Sequence, residues 1–354
     1  MLYRESGQFK TTYSKDMAVF PIAQDRWFVI AVIIFGFVGV PQFASNYLYT
    51  EIFIPVLILS LAAIGLNILT GYCGQLSLGT GGFMAVGAYA AYNLALRVPE
   101  TNFLLVLIFS GLMATLVGII FGLPSLRIKG FYLAVATLAS QFFLEWTFAR
   151  VKWFTNYAHS GSVAVKDVEL FGTVISNPER KYLFILAVVV VLAVVAKNLV
   201  RSRVGRMWMA IRDMDIAAEI LGIRPLYAKL SAFAVSSFFI GVAGALWAFF
   251  RLGSWEPLAF DINRSFQVLF MIIIGGLGSI LGSFLGAAFI VLTPLFLNQL
   301  PGILGISMSV ATITHIEFMV FGAMIVFFLI VEPHGLARLW AIAKEKLRLW
   351  PYPY

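Results

Sequence analysis

Apolar residues form long runs along this chain, and short polar segments separate the runs. A helix that crosses a membrane needs about 20 predominantly apolar residues. Ten segments come close to this length: 27–45, 50–70, 76–96, 103–123, 130–149, 181–199, 229–250, 265–281, 283–300 and 311–331. Strands of a membrane barrel alternate in polarity over about 10 residues, whereas these runs are apolar on every side. The pattern therefore predicts an all-α polytopic membrane protein with about ten transmembrane helices within residues 27–331.

Glycine interrupts the third, eighth and ninth of these runs. If two glycine-rich segments enter and leave the membrane on the same side, the chain has eight transmembrane helices instead of ten. Both counts are even, so both place the N-terminal segment 1–26 and the C-terminal tail 332–354 on one side of the membrane.

Composition agrees with a membrane location. Of the 354 residues, 61% are hydrophobic and 12% are charged, whereas soluble domains carry about 25% charged residues. The one cysteine, Cys73, excludes a disulfide within the chain. The three histidines are dispersed without the spacing of zinc ligands. We expect no metal site, and the chain has no convincing catalytic pair, so we do not expect an enzyme.

Positive charge predicts the orientation, because cytoplasmic loops of membrane proteins carry an excess of Lys and Arg. With ten spans, the side that holds both termini carries 17 basic residues, seven of them in the loop 197–229. The other side carries eight, and its longest loop is 150–180. We therefore predict that both termini and the loop 197–229 are cytoplasmic. The loop 150–180 is either a docking surface for an external partner or a connector packed on the rim.

The loop 197–229 contains an amphipathic segment, which we predict to be one helix that follows Gly205 and is ended by Gly222 and Pro225. Its apolar stripe consists of Met207, Ala210, Ile211, Met214, Ala217, Ala218 and Leu221. Its polar face consists of Trp208, Arg212, Asp215 and Glu219, and a second apolar set consists of Met209, Ile216 and Ile220. Two opposed apolar faces suit a helix held between its own membrane domain and a soluble partner. The alternative is an interfacial helix attached only to the membrane.

The glycine-rich segment 71–82 is the main candidate for a solute pathway. Irregular backbone at membrane depth is tolerated only against protein or water, so a broken helix here can expose polar groups to a solute. Polar side chains in or near the spans extend this candidate set, which consists of Asn67, Gln75, Ser77, Thr80 and Gln141. The glycines are equally compatible with close crossing of helices.

Four ordered motifs and a C-terminal signature resemble the permeases of the high-affinity branched-chain amino acid ABC-transporter family. The motifs are NILTGYCGQLSLGTGGFMAVG (67–87), RIKGFYLAVATL (127–138), SRVGRMWMAIRDMDIAAEILG (202–222) and GGLGSILGSFLG (275–286), and the signature is EPHGL (332–336). The chain looks like the M-type of the two unlike permeases in such importers. The resemblance implies a fold similar to that of cobalamin-type importers.

The resemblance also implies partners and a coupling site. The partners are a second permease subunit, two cytosolic ATP-binding subunits that bind ATP and Mg, and a periplasmic solute-binding protein. This chain has no phosphate-binding loop of its own, so it carries no cofactor. The residues that the resemblance assigns to the contact with the ATPase are Arg206, Ala210, Arg212, Asp215, Ala217, Ala218, Glu219 and Gly222.

Together these features predict a permease subunit of an ATP-driven importer that moves branched-chain or related amino acids across the bacterial inner membrane. One alternative is the same type of importer with urea, short amides or aromatic acids as cargo. Another is a secondary transporter that acts alone.

Overall fold

The computed structural model describes residues 11–12, 23–125, 131–158, 161–165, 168–170, 173–304, 310–332 and 334–349. Helices make up nearly all of it: α1 Ala23–Ile34, α2 Ile54–Asn67, α3 Thr80–Arg97, α4 Phe103–Ser125, α5 Phe131–Arg150, α6 Pro178–Arg201, α7 Arg203–Asp213, α8 Asp215–Ile220, α9 Pro225–Leu246, α10 Ile262–Gly275, α11 Ile280–Leu304, α12 Val310–Val331 and α13 Gly335–Leu349. Wider π-helical turns extend three of them: Phe35–Gly39 after α1, Leu48–Phe53 before and Ile68–Tyr72 after α2, and Trp247–Leu252 after α9.

Four two-residue strands lie in the connections: β1 Val163–Ala164, β2 Glu169–Leu170, β3 Thr173–Val174 and β4 Ser254–Trp255. They form two antiparallel pairs, β1 with β4 and β2 with β3. The predicted external loop 150–180 contains β1, β2 and β3. It is slightly shorter than predicted, because α5 ends at Arg150 and α6 already begins at Pro178.

Each of the ten predicted apolar segments overlaps a helical segment. Seven helical segments in the described ranges are long and apolar enough to cross a membrane: Asp25–Phe43, Leu48–Tyr72, Phe103–Leu123, Pro178–Arg201, Pro225–Leu252, Pro257–Gly275 and Ile280–Gln299. The prediction of an all-α polytopic membrane protein is confirmed. The number of spans stays a prediction, since α3, α5 and α12 lie outside that set of seven.

Two boundaries at glycines differ from prediction. The third apolar run was expected to be helical from residue 76, but α3 begins only at Thr80. The eighth run was expected to reach residue 281, but α10 ends at Gly275 and a turn separates it from α11. α10 ends there because the φ angles of Gly276 and Gly278, 121° and 74°, are incompatible with a continuing helix.

The predicted single helix between Gly205 and Gly222 is wrong in two respects. It begins earlier, at Arg203, because the Ser202 hydroxyl caps its first turn by accepting a hydrogen bond from the Val204 N–H at 3.2 Å. It is also broken at Met214, whose extended backbone (φ −161°, ψ 94°) separates α7 from α8. The predicted end is correct: α8 stops before Gly222, which has a φ of 88°.

Helices α2 and α9 form the centre of the bundle, and most of their residues are buried. α9 packs against α2, α3 and α4, and α2 also contacts α6, α10 and α11. Close approach of α3 and α9 depends on Gly87 and Gly244, since a side chain at either position would overlap the backbone of the other helix. The interior of the protein is therefore a tight helical core, and α4, α5 and α6 around it carry exposed apolar side chains.

Contacts at the two ends of the bundle agree with the predicted alternation of loops. At one end, β1 in the predicted external loop pairs with β4, and Glu51 forms a two-point ion pair with Arg251 at 2.6 Å. At the other end, Lys344 in α13 contacts Asp25 in α1 at 2.6 Å. Each of these contacts joins segments that the ten-span prediction places on the same side.

Candidate functional site

The segment formed by α7 and α8, here called the α7–α8 segment (203–220), is anchored to the bundle by its inner face. Trp208 is completely buried, and its indole N–H donates to the Ser231 hydroxyl on α9 at 2.9 Å. Ile211 and Ala218 are also buried. The prediction that Trp208 belongs to the polar face is wrong, because the large indole ring gains more by burial and its one polar atom still finds a partner.

The outer face of the same segment exposes large apolar side chains. Met214 and Ile216 are each 66% exposed, and Ile220 and Leu221 are each 81% exposed. The prediction that Met214 and Leu221 lie in the inner stripe with Ala218 is wrong: Met214 lies at the break between α7 and α8, Leu221 lies past the end of α8, and both are exposed. Two members of the predicted second apolar set, Ile216 and Ile220, therefore lie on the outer face. The outer face is apolar although the loop that contains it is charged.

The eight predicted coupling residues differ in accessibility. Arg206, Arg212, Glu219 and Gly222 are exposed, Ala210, Asp215 and Ala217 are half-buried, and Ala218 is buried. Asp215 occupies the first turn of α8, where a negative charge stabilises a helix N-terminus. Seven of the eight are thus at least partly exposed, whereas Ala218 contributes to the inner anchor.

Arg212 connects the α7–α8 segment to the end of α2. Its guanidinium donates to the Gly71 carbonyl at 2.9 Å and to the Asp213 carboxylate at 2.9 Å. The side chain is 38% exposed, so the contact lies at the edge of the bundle. A hydrogen bond from a charged donor contributes about 1.5–3 kcal/mol. Arg212 was predicted as a coupling residue. Its hydrogen bond to the Gly71 carbonyl is an additional contact that the sequence does not reveal.

Around Gly71, an asparagine joins α2 to the turn between α10 and α11. The Asn67 amide N–H donates to the Ser279 carbonyl at 2.9 Å and to the Ser283 hydroxyl at 3.0 Å, and its carbonyl accepts from the Gly278 N–H at 2.8 Å. A side chain at Gly71 would overlap both Asn67 and Gly278. We call Asn67, Gly71, Arg212, Gly278 and Ser279 the Arg212 node.

The C-terminal signature adjoins this node. The φ of Gly335 is 66°, and any side chain there would press on the backbone of Ile274 and Gly276. A side chain at Gly276 would in turn overlap the His334 carbonyl. Three of the motifs that are separate in sequence therefore meet at one end of the bundle: the segment after Asn67, the turn after α10 and the start of α13.

A second polar cluster lies deeper, at the start of α3. The Gln141 side-chain carbonyl accepts from the Gly82 N–H and from the Ser265 hydroxyl, the latter at 3.0 Å, and its amide donates to the Phe260 carbonyl at 2.8 Å. The Ser265 hydroxyl accepts from the Gly81 N–H at 2.8 Å. Gln141 and Ser265 thereby satisfy N–H groups at the N-terminus of α3 that lack helical partners. We call these five residues the Gln141 network.

Helix geometry places the Gln141 network near the middle of the membrane. Gln141 lies nine residues before the end of α5 at Arg150, which corresponds to about 14 Å along a helix. The hydrocarbon core is about 30 Å thick. α3 and α10 both begin beside Gln141, so their N-termini approach each other at this depth. Ser265 and Phe260 were not predicted, and only the helix-start residue Asp261, which caps α10, marks this position in the sequence.

The described hydrogen bonds do not join the five predicted pathway residues into one cluster. Asn67 belongs to the Arg212 node, and Gln141 to the Gln141 network, next to Thr80 at the start of α3. All five are at most 8% exposed in this chain: Asn67, Gln75, Ser77, Thr80 and Gln141. Asn67 and Gln141 use their side chains for internal hydrogen bonds, whereas the buried Thr80 hydroxyl has no partner among the described residues. Their role in solute passage stays a prediction.

This arrangement defines a class: an all-helical multi-pass membrane protein with a two-helix segment docked on one end of its bundle. The family profile described as "Branched-chain amino acid transport system / permease component" matches residues 48–329. The chain belongs to this family of membrane permeases, and the resemblance found in the sequence motifs is confirmed.

Similar proteins carry names from the same family. The high-affinity branched-chain amino acid transport system permease protein LivM of Escherichia coli (strain K12) is 33% identical over 253 residues, which cover 65% of this chain and 59% of the relative. LivM of Salmonella typhimurium (strain LT2) is 32% identical over the same shares. The probable branched-chain amino acid transport permease protein LivM of Methanocaldococcus jannaschii is 22% identical over 317 residues, covering 85% of this chain and 86% of the relative.

The matches to the first two relatives thus span less than two thirds of those proteins' length. No solved structure matches this chain.

Proposed function

We propose that this chain is a permease subunit of an ATP-driven importer that carries branched-chain or related amino acids across the inner membrane. A second permease subunit completes the pore, two cytosolic subunits bind ATP and Mg, and a periplasmic solute-binding protein delivers the cargo. Both termini of this chain lie in the cytoplasm. Family membership and the names of the similar proteins support the cargo class.

One observation supports the α7–α8 segment as the contact with the ATP-binding subunits. Its inner face already packs on the helical bundle, where Trp208 is buried. Ile216, Ile220 and Leu221 remain exposed on the other side. Exposed apolar patches outside a membrane mark protein contacts, and charged residues around this patch suit a soluble partner. A subunit that covers it would hold a segment that is already tied to the membrane domain.

In this proposal, the segment carries movement in two directions. Closure of the ATP-binding subunits displaces the outer face of α7 and α8. Trp208 passes the displacement to α9 through Ser231, and Arg212 passes it to Gly71 at the end of α2. Because α2 and α9 are the central helices of the bundle, their tilting changes access to the pore from one side of the membrane to the other.

The test is recovery of an ATP-binding subunit through a tag on this chain, expressed with its operon neighbours. Ile220→Glu places a charge in the apolar patch, and we expect it to lower recovery by at least about ten-fold, as for loss of a buried contact at an interface. Leu258→Glu is the matched control, because Leu258 is 66% exposed at the opposite end of the bundle. Unchanged recovery with Ile220→Glu, or no ATP-binding subunit with the unmodified chain, would contradict the proposal.

A further inference from the structure

An apolar groove lies on the outside of the bundle, and the proposed transport function assigns it no role. It lies between α3, α4 and α5 and has a volume of about 530 Å³. Phe109, Met113, Val117 and Phe121 recur every four residues along α4 and form one wall. The opposite wall includes Phe143, which is 53% exposed at the open side of the groove.

The walls of the groove offer almost nothing for a polar ligand to bind. The Thr147 hydroxyl donates to the Phe143 carbonyl of its own helix at 2.7 Å. The Asn93 amide donates to the carbonyls of Tyr89 and Phe154, which also line the groove, at 2.9 and 3.0 Å. The Asn93 carbonyl and the Tyr89 hydroxyl have no partner among the described residues, but both oxygen atoms are buried and present no surface to an occupant. An occupant that fills this space must therefore be hydrocarbon along its length.

One end of the groove carries a positive charge. The Arg97 guanidinium lies 3.7 Å from the centre of the Trp153 ring, and both residues line the groove. This stacking holds the guanidinium in place by a cation–π interaction. Arg150 and Lys152, which shortly precede Trp153, are also exposed. The acidic residue nearest to Arg97 along the chain is Glu100. No carboxylate in the described part of the chain pairs with Arg97.

The dimensions match one leaflet of a membrane. From Arg97 back to Val86 the lining residues of α3 extend about 17 Å, whereas half of the hydrocarbon core is about 15 Å thick. Arg97 and Trp153 stand where these residue types concentrate, at the level of the lipid headgroups. The volume of about 530 Å³ is too small for a helix about 10 Å wide over this length, whereas a single acyl chain is thin enough to lie in it.

We infer that this groove binds an anionic phospholipid, with one acyl chain between α3, α4 and α5 and the phosphate at Arg97. The occupant belongs to the leaflet on the side of the loop 150–180. The lipid would fill the space between α4 and α5 and fix the position of α3, whose other end carries the Gln141 network. This inference is independent of the identity of the transported solute.

The test measures lipids retained by the full-length chain, with whatever subunits accompany it, by native mass spectrometry after incubation with phosphatidylglycerol or phosphatidylcholine of the same acyl chains. We expect preferential retention of phosphatidylglycerol by about five-fold, the effect of one basic residue at a membrane surface. Arg97→Gln should abolish the preference but leave some lipid bound. Arg180→Gln is the matched control, since Arg180 is also exposed and is predicted on the same side.

A second pair of variants tests the hydrocarbon part. Met113→Trp fills the groove and should reduce retention of both lipids, whereas Leu112→Trp on the exposed side of α4 should not. A photoreactive acyl chain should label peptides between residues 109 and 121 in the unmodified chain. Equal retention of the two lipids, an unchanged preference with Arg97→Gln, or labelling elsewhere would overturn the inference. Displacement of a protein subunit instead of lipid by Met113→Trp would also overturn it.

Discussion

The Arg212 node and the Gln141 network both fasten irregular, glycine-containing backbone to neighbouring helices, but their chemistry differs. The Gln141 network is neutral, and Gln141 and Ser265 are almost completely buried. The Arg212 node has the same kind of neutral latch in Asn67 but adds one charged side chain, 38% exposed, that comes from a segment at the end of the bundle. Water can replace the lost partner of an exposed group but not that of a buried one.

This difference separates a fixed point from a movable one. Opening the Gln141 network would leave N–H and carbonyl groups unsatisfied at membrane depth, where each costs several kcal/mol. Detaching Arg212 returns a guanidinium that is already 38% exposed to solvent and frees one carbonyl, that of the buried Gly71. This costs less than opening the four hydrogen bonds of the Gln141 network. We therefore expect α3 and α10 to keep their junction during transport while the α7–α8 segment shifts relative to α2.

The largest effect is expected from Gln141→Leu. The substitution removes the acceptor for the Gly82 N–H and Ser265 hydroxyl and the donor to the Phe260 carbonyl. At 1–3 kcal/mol for each unsatisfied group, the free energy of unfolding should fall by about 3 kcal/mol or more. Denaturant unfolding of the purified chain in detergent measures this.

Gln299→Leu serves as the control for the same chemical change, because Gln299 is exposed near the end of α11. It should alter the free energy of unfolding by less than about 0.5 kcal/mol. A Gln141 variant as stable as this control would show that the network is not the fixed point of the fold.

A smaller effect on stability but a clear effect on transport is expected from Arg212→Met. Methionine keeps most of the aliphatic length and loses the donors to Gly71 and Asp213. We expect uptake to fall by about ten-fold, within the range of typical coupling energies, while the complex still hydrolyses ATP. Uptake into membrane vesicles and hydrolysis by the same preparation provide the two measurements.

Arg203→Met is the control on the same helix, since Arg203 is exposed at the first turn of α7 and outside the proposed contacts. Equal uptake in the two variants would mean that Arg212 does not carry movement to α2. A parallel loss of uptake and hydrolysis in Arg212→Met would instead place the defect in the contact with the ATP-binding subunits.

How far the sequence predicts this structure depends on the range of the interactions involved. Apolar runs predict the helical segments because burial in lipid requires continuous backbone hydrogen bonding. The break at Met214 has no such signal: neither Gly nor Pro stands there, and only Asp215, a favourable first-turn residue, marks a new helix start. The docking of Trp208 and Arg212 on different helices of the bundle provides the tertiary contacts that a local pattern does not contain.

The candidate site shows the same limit. Asn67 and Gln141 stand out in the sequence as polar residues within apolar runs, and both are buried in the structure. Their partners are far away in the chain: Ser279 and Ser283 for Asn67, and Ser265 for Gln141. Serine is common in helices and interfaces, so a single sequence contains nothing that assigns these partners.

The smallest effect concerns the end of α8, through Gly222→Ala. The φ of 88° at Gly222 is unfavourable for alanine, although no atom would obstruct the added methyl group. Such a left-handed conformation costs about 1–2 kcal/mol for a residue with a side chain. Gly322→Ala is the control, because Gly322 also has free space but lies inside α12 without a positive φ; this change should stabilise its helix by about 0.5–1 kcal/mol.

If the α7–α8 segment moves independently of the Gln141 network, Gly222→Ala should speed amide hydrogen exchange in α8 and leave exchange at Gly81 and Gly82 unchanged. Faster exchange at both places would mean that the two clusters open together, and the distinction between a fixed and a movable point would not hold.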